Sequence, residues 1–177
     1  VLGGTNSMCM KREHAELFRL LDVDVVDLTG NHINDFGYDA LNNTLDYFTE
    51  LDIQFVGGGE TMTEGREPLI IDHNGSRIGW IACNHIGPYY ALANDDPNAL
   101  GGIRSGNVFC DANWLREALP LLSAEVDVVL VTLQYQEFEE FVPTSQQRID
   151  YQTIADWGAD IVVGTAEHKP MTFEFYP

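Results

Sequence analysis

VDVVLVTLQYQE, residues 126–137, carries a nearly continuous apolar run from Val126 to Leu133 that breaks abruptly into Gln134-Tyr135-Gln136-Glu137. Unbroken apolar runs belong to strands covered on both faces, the habit of parallel sheets. The residues that follow complete a unit. Thr144-x-x-Gln147 after Pro143 has the form of a capping box and predicts a helix running to about Trp157. Asp160–Val163 reads as another buried strand, which also ends in polar residues, Gly164-Thr165-Ala166-Glu167-His168. Strands alternating with helices in this way predict an α/β fold.

The pattern repeats upstream. Residues 23–28 (VDVVDL) read as a strand stopping at Thr29-Gly30-Asn31-His32. In residues 38–51, Leu41, Leu45 and Phe48 form one helical stripe. Ile53–Val56 is a strand ended by Gly57-Gly58-Gly59. Residues 68–72 and 76–83 form a hairpin through Asn74-Gly75. Residues 11–21 predict a short helix, and Asp111–Ala124 a longer one that Pro120 bends or shortens. Met171–Tyr176 reads as a final strand. Between Asn84 and Val108 lies a long stretch rich in Gly, Pro, Asn and Asp, the kind of loop that is functional or mobile. Neither a repeat nor a linker interrupts residues 1–177, which predicts a single domain.

Composition narrows the partners. The 177 residues are 45% hydrophobic, enough for a core, and carry a formal net charge of -19. So acidic a surface repels phosphate backbones, so nucleic acid is not expected as a partner. No apolar stretch approaches the roughly 18 residues of a membrane span, and no leader sequence opens the chain. Cys9, Cys83 and Cys110 are odd in number and lack CxxC spacing. They predict neither a zinc knuckle nor a disulfide framework, and at least two read as small buried hydrophobes.

In α/β sheets, ligands gather at the carboxyl ends of strands. The ends found here offer Asn31, His32 and Asp35, then Gln134 and Glu137, then His168. Converging Asn, His, Gln and Glu suit a metal site rich in oxygen and nitrogen, or a polar site with a histidine acid or base. Gly30 permits a tight turn before His32, and Asp35 is placed to orient its ring. Gln134 and Glu137 also suit simple strand capping. His14 and His73 read as structural or solvated, and His85, at another strand end, is a further candidate. Gly57-Gly58-Gly59 lacks GxGxxG spacing, so a plain turn is preferred to a phosphate loop.

Two blocks, residues 24–84 and 126–170, resemble the bacterial capsule-biosynthesis CapA family, associated with poly-γ-glutamate synthesis. The first carries Asn31-His32-x-x-Asp35-x-Gly37, a helix, a glycine turn and a hairpin. The second carries a strand, Pro143-Thr144-x-x-Gln147, a helix, Gly158-Ala159-Asp160, a strand, and Gly164-x-x-x-His168. That family is similar to calcineurin-like metallophosphoesterases. The resemblance implies a metallophosphoesterase-like α/β/β/α sandwich with mixed sheets, expected to be incomplete at both ends because the family's first and last motifs are missing. It also implies divalent metal ions (Mn, Zn, Fe or Mg), with Asn31 and His168 matching metal ligands. Gln134 and Glu137, read from their strand end, are the residues expected to join them. His32 would be general acid, or a donor to a substrate oxyanion, with Asp35 its support. By position rather than by resemblance, His85 at its strand end and Tyr89 in the 84–108 loop are expected as substrate neighbours. Two departures stand out: Gln134 replaces a family histidine, and Ala166 another. Gln134 and Glu167 could supply oxygen ligands instead.

Two functions follow. One is a metal-dependent hydrolase acting on a phosphoester, an amide or a surface polymer. The other is a non-catalytic relative that binds a polymer or a partner of the capsule machinery. By resemblance either would work at the cell surface or outside the cell.

Overall fold

The apolar run of residues 126–133 lies in the middle of a sheet. The structure is a computed structural model and describes residues 7–136 and 140–177. A 3-10 turn, Arg12–Ala15, leads into α1 (Glu16–Leu20), then β1 (Val25–Asp27), α2 (Tyr38–Glu50), β2 (Gln54–Val56), β3 (Gly58–Gly59) and α3 (Met62–Arg66). There follow β4 (Leu69–His73), β5 (Ser76–Asn84), β6 (Gly106–Asn107), α4 (Ala112–Ser123), β7 (Val128–Gln134), α5 (Ser145–Asp156) and β8 (Ile161–Thr165). The main sheet has the order β4-β5-β7-β8, while β1 pairs with β2 and β3 with β6. Strands β5, β7 and β8 run parallel, and β4 is antiparallel to β5. Its hairpin turns at Asn74 and Gly75, both at positive φ as a tight primed turn demands.

Alternation along β7 fixes the layering. Val129, Val131 and Leu133 join Ile81 of β5 in a core closed by Leu115, Leu119 and Leu122 of α4 and Ile154 of α5. The intervening side chains face the other way: Thr132 donates to Asp27 at the end of β1, and Gln134 donates to Asn31. On that side β1 and β2 carry a second core, in which Leu41, Leu45 and Phe48 of α2 meet Leu28 and Ile53. From α4 and α5 through the main sheet to the β1–β2 pair and α2, the chain is an α/β sandwich with mixed sheets. That is the metallophosphoesterase-like layering expected from the resemblance.

The cap of α5 follows the predicted pattern in part. Thr144 Oγ1 accepts from Gln147 N at 3.1 Å, but the Gln147 side chain turns inward to Glu167 rather than back to the cap. Thr144→Ala is expected to lower stability by about 1 kcal/mol, read by urea unfolding; an unchanged midpoint would discount the cap.

Several expectations are corrected. Cys83 and Cys110 form a disulfide across 27 residues, and Cys9 is exposed and free. Spacing alone did not reveal this pair because the fold, not the sequence, brings the end of β5 beside residue 110. Strand β8 sits at the sheet edge, so Ile161 and Val163 are exposed rather than buried. Residues 171–176 form no strand; Phe173 and Phe175 point outward, while Glu174 and Tyr176 bond to α5. Leu17 and Leu20 of α1 are exposed. Pro120 lies inside α4 without shortening it, because it occupies the solvent side, where water can reach the carbonyl freed by its missing N–H. Gly58–Gly59, expected as part of a plain turn, is a strand paired with β6. The 84–108 stretch is folded down: Ala91, Ala93 and Val108 are buried, and Asn94 pairs with Arg104.

Candidate functional site

The site grows from the carboxylate that ends β1. Asp27 reaches forward with Oδ1 to accept from the N–H and hydroxyl of Thr29, and with Oδ2 from Thr132 Oγ1 at 2.6 Å. This local turn is the habit of aspartate at strand ends. The chain then winds through successive turns, with Ile33 N donating to Gly30 O and Asp35 N to His32 O. One such turn sets residues three apart on the same side. His32 Nδ1 and Asp35 Oδ2 are consequently 2.7 Å apart.

Asp35 is fully buried and also accepts from Met8 N. Because a carboxylate only accepts, it fixes the hydrogen on Nδ1 and leaves Nε2 of the partly exposed ring for an outside group. Beside this pair stands a ladder of amides. Gln134 Nε2 donates to Asn31 Oδ1 at 2.7 Å, and Asn84 Nδ2 donates to Gln134 Oε1 at 3.1 Å. Asn84 is wholly buried; its Nδ2 also reaches Thr29 O and Gly87 O, and its Oδ1 accepts from Ile86 N and Gly87 N. Asn107 Nδ2 donates to the carbonyls of Thr29 and Gly30, locking the same turn from the 84–108 side.

The predicted residues fall into separate groups. Asn31, His32, Asp35 and Gln134 come together. His85 bonds through its N–H to Gln134 O, but its ring stacks on Tyr135 at 4.7 Å, over a cavity of about 130 Å³ against α4 and α5. Burial, and then the hydrogen bond to Asp150, push the Tyr135 phenol well above its ordinary pKa, so it stays a donor. Tyr89 donates to Leu100 O and lies under the Arg104 guanidinium, which makes it a prop of its own loop. Asp95 of that loop caps α3. Burial raises its pKa, but hydrogen bonds from Thr63 and Met62 outweigh that and hold it below the usual carboxylate value. The register sets Thr165 opposite Gln134, so the chain leaves β8 at this edge and reaches His168 three residues on, at positive φ. Glu137 lies outside the described residues.

Asn84, Asn107 and Thr132 were missed by sequence reading. Asn84 did carry a signal, a polar residue ending the apolar strand Ile81-Ala82-Cys83. Asn107 carried none.

A family model described as the bacterial capsule synthesis protein PGA_cap matches residues 4–177. The chain belongs to that family. It is 25% identical over 167 residues to the capsule biosynthesis protein CapA of Bacillus anthracis, an alignment covering 94% of this chain and 40% of that protein. It is 22% identical over 170 residues to the PGA biosynthesis protein CapA of Bacillus subtilis strain 168, covering 93% of this chain and 42% of the relative. The chain thus spans about two fifths of the curated relatives it matches.

The resemblance implies divalent metal at this edge, and the donor set can be tested against it. Asn31 Oδ1 and Gln134 Oε1 each already accept an amide hydrogen, and both are neutral ligands. Among the described residues no group of three His, Cys, Asp or Glu could hold a metal ion. The described side chains therefore do not by themselves fit a dinuclear centre, which needs anionic or imidazole donors around each ion. No described helix is long and apolar enough to cross a membrane.

Proposed function

We propose that this chain works in the synthesis or processing of a capsule polymer of the poly-γ-glutamate kind. In this reading the pair of His32 and Asp35 is its proton-transfer centre, acting in hydrolysis or transfer at a phosphoester or amide. The observation that carries the reading is the 2.7 Å contact of His32 Nδ1 with the buried Asp35, directly beside Asn31. Asn31 gives its oxygen to Gln134, which leaves its NH2 for a substrate oxygen. His32 Nε2 takes a proton from the attacking water or acceptor hydroxyl as that oxygen bonds to the phosphorus or carbonyl carbon. Asp35 stabilises the imidazolium so formed, and Nε2 returns the proton to the leaving atom as its bond breaks. Gln134 and Asn84 hold Asn31 in register.

The test is a screen of aryl phosphodiesters and γ-glutamyl anilides, with and without Mn²⁺ or Zn²⁺. Wild type is expected to turn over one class, and His32→Ala to lose about 100-fold or more in kcat. Asp35→Asn is expected to lose roughly 10–100-fold, since it acts through the ring. Equal rates for wild type and His32→Ala would end this reading.

A second reading is binding without turnover, favoured by the neutral amide ladder and by the donor count among described residues. Calorimetry with poly-γ-glutamate that showed saturable binding and no product would select it. The metal-dependent form, with Asn31, Gln134, Glu137 and His168 around Mn, Zn, Fe or Mg, requires the amide pair to turn. Metal titration is expected to show no saturable micromolar binding. Near-stoichiometric metal that is lost in His168→Ala would establish the metal form instead.

A further inference from the structure

A cavity of about 670 Å³ lies between α5, β8 and the C-terminal residues 170–177. Its volume falls in the range of about 300–1,000 Å³ typical of small-molecule sites. Gln147 and Glu167 line it, and both are more than nine-tenths buried. Gln147 Nε2 spends its hydrogens on Glu167 Oε1 at 3.0 Å and Tyr151 Oη at 3.3 Å. That pins the amide, since turning it over would set its oxygen against the carboxylate. Gln147 Oε1 is left buried with no hydrogen-bond partner. A buried acceptor in that state is unfavourable, and a ligand donor can recover the loss.

The pocket is built around this group. An added Cβ on Gly164 would sit 2.0 Å from Tyr151 Oη, so the glycine is what lets the tyrosine reach the floor. Burial is the leading cause that pushes the Tyr151 phenol above its ordinary pKa, which keeps its proton in place. The outer wall is tied down by Arg148 to Glu174 and by Tyr176 to Asp156. Between floor and wall stand apolar side chains, among them Val162, Ala159 and Met171.

We infer that this cavity binds a small organic amine, its ammonium donating to Gln147 Oε1 beside the Glu167 carboxylate while its apolar body fills the space toward β8. The inference goes beyond the proposed function and uses none of the His32–Asp35 machinery. The probe is n-hexylamine, compared by calorimetry with hexan-1-ol and hexanoate on the full chain. Hexylamine is expected to bind at least tenfold tighter than either. Glu167→Gln and Gln147→Leu are each expected to weaken it tenfold or more, with unchanged near-ultraviolet circular dichroism. Should Gln147→Leu fail to fold, the isosteric Glu167→Gln decides alone. No heat with hexylamine at millimolar concentration, equal affinity for hexanol, or an unchanged affinity in Glu167→Gln would each overturn the inference. Activity of His32→Ala has no bearing on any of these outcomes.

Discussion

Replacing Cys83 and Cys110 together by alanine is expected to lower the free energy of unfolding by about 3.5 kcal/mol. The disulfide closes a sequence separation of 27 residues, and the entropy removed from the unfolded chain by a loop of that length sets the figure. The segment it encloses is the long stretch from Asn84 to Phe109, which has little regular structure to hold it. Without the bond, that segment relies on short pairings, such as Asn84 N to Val108 O and Cys110 N to Asn84 O. Urea unfolding of the double variant against wild type measures the difference. A loss under 1 kcal/mol would mean that the unfolded chain is already compact there, or that the bond is not formed. Because Asn84 follows Cys83 directly, looser packing of Asn84 should also reach Gln134 and Asn31.

What could be read from the sequence follows the range of the forces involved. The helix over residues 38–51, its buried Leu41, Leu45 and Phe48, and the Asn74-Gly75 hairpin are set by periodicity and turn chemistry within a few residues. The pair of His32 and Asp35 was legible for the same reason, since one turn spans their separation. Burial of β8 was misjudged because an apolar strand reads alike in the centre of a sheet and at its edge. The disulfide and the amide ladder depend on contacts 27 to 103 residues apart, which no local pattern encodes. Gln134 had looked like a loss, an amide where the family resemblance implies histidine. In the fold it is the link between Asn31 and Asn84, and an amide is suited to that place because it donates on one side and accepts on the other.

Asn84→Asp is the sharpest test of that ladder, because it changes one atom and almost no volume. In the wild type, Nδ2 faces three acceptors, Thr29 O at 2.9 Å, Gly87 O at 3.2 Å and Gln134 Oε1 at 3.1 Å. A carboxylate oxygen there would meet three oxygens in a fully buried position. Only the other oxygen keeps its donors, the N–H groups of Ile86 and Gly87. Leaving a buried charge uncompensated costs roughly 3–5 kcal/mol. Asn84→Ala removes the same bonds without adding charge, and Thr29 O keeps its bond from Asn107, so its cost should be smaller. The introduced carboxyl would have its folded pKa raised above the unfolded value of about 3.9. Below that value both states are protonated and the charge penalty vanishes. As pH rises from there through the folded pKa the folded state alone resists ionising, and stability relative to wild type falls until it levels off. Urea unfolding at acidic and neutral pH reads both the size and the sign. A variant as stable as wild type at neutral pH, or one whose deficit shrinks as pH rises, would show that Asn84 is not the donor the ladder requires.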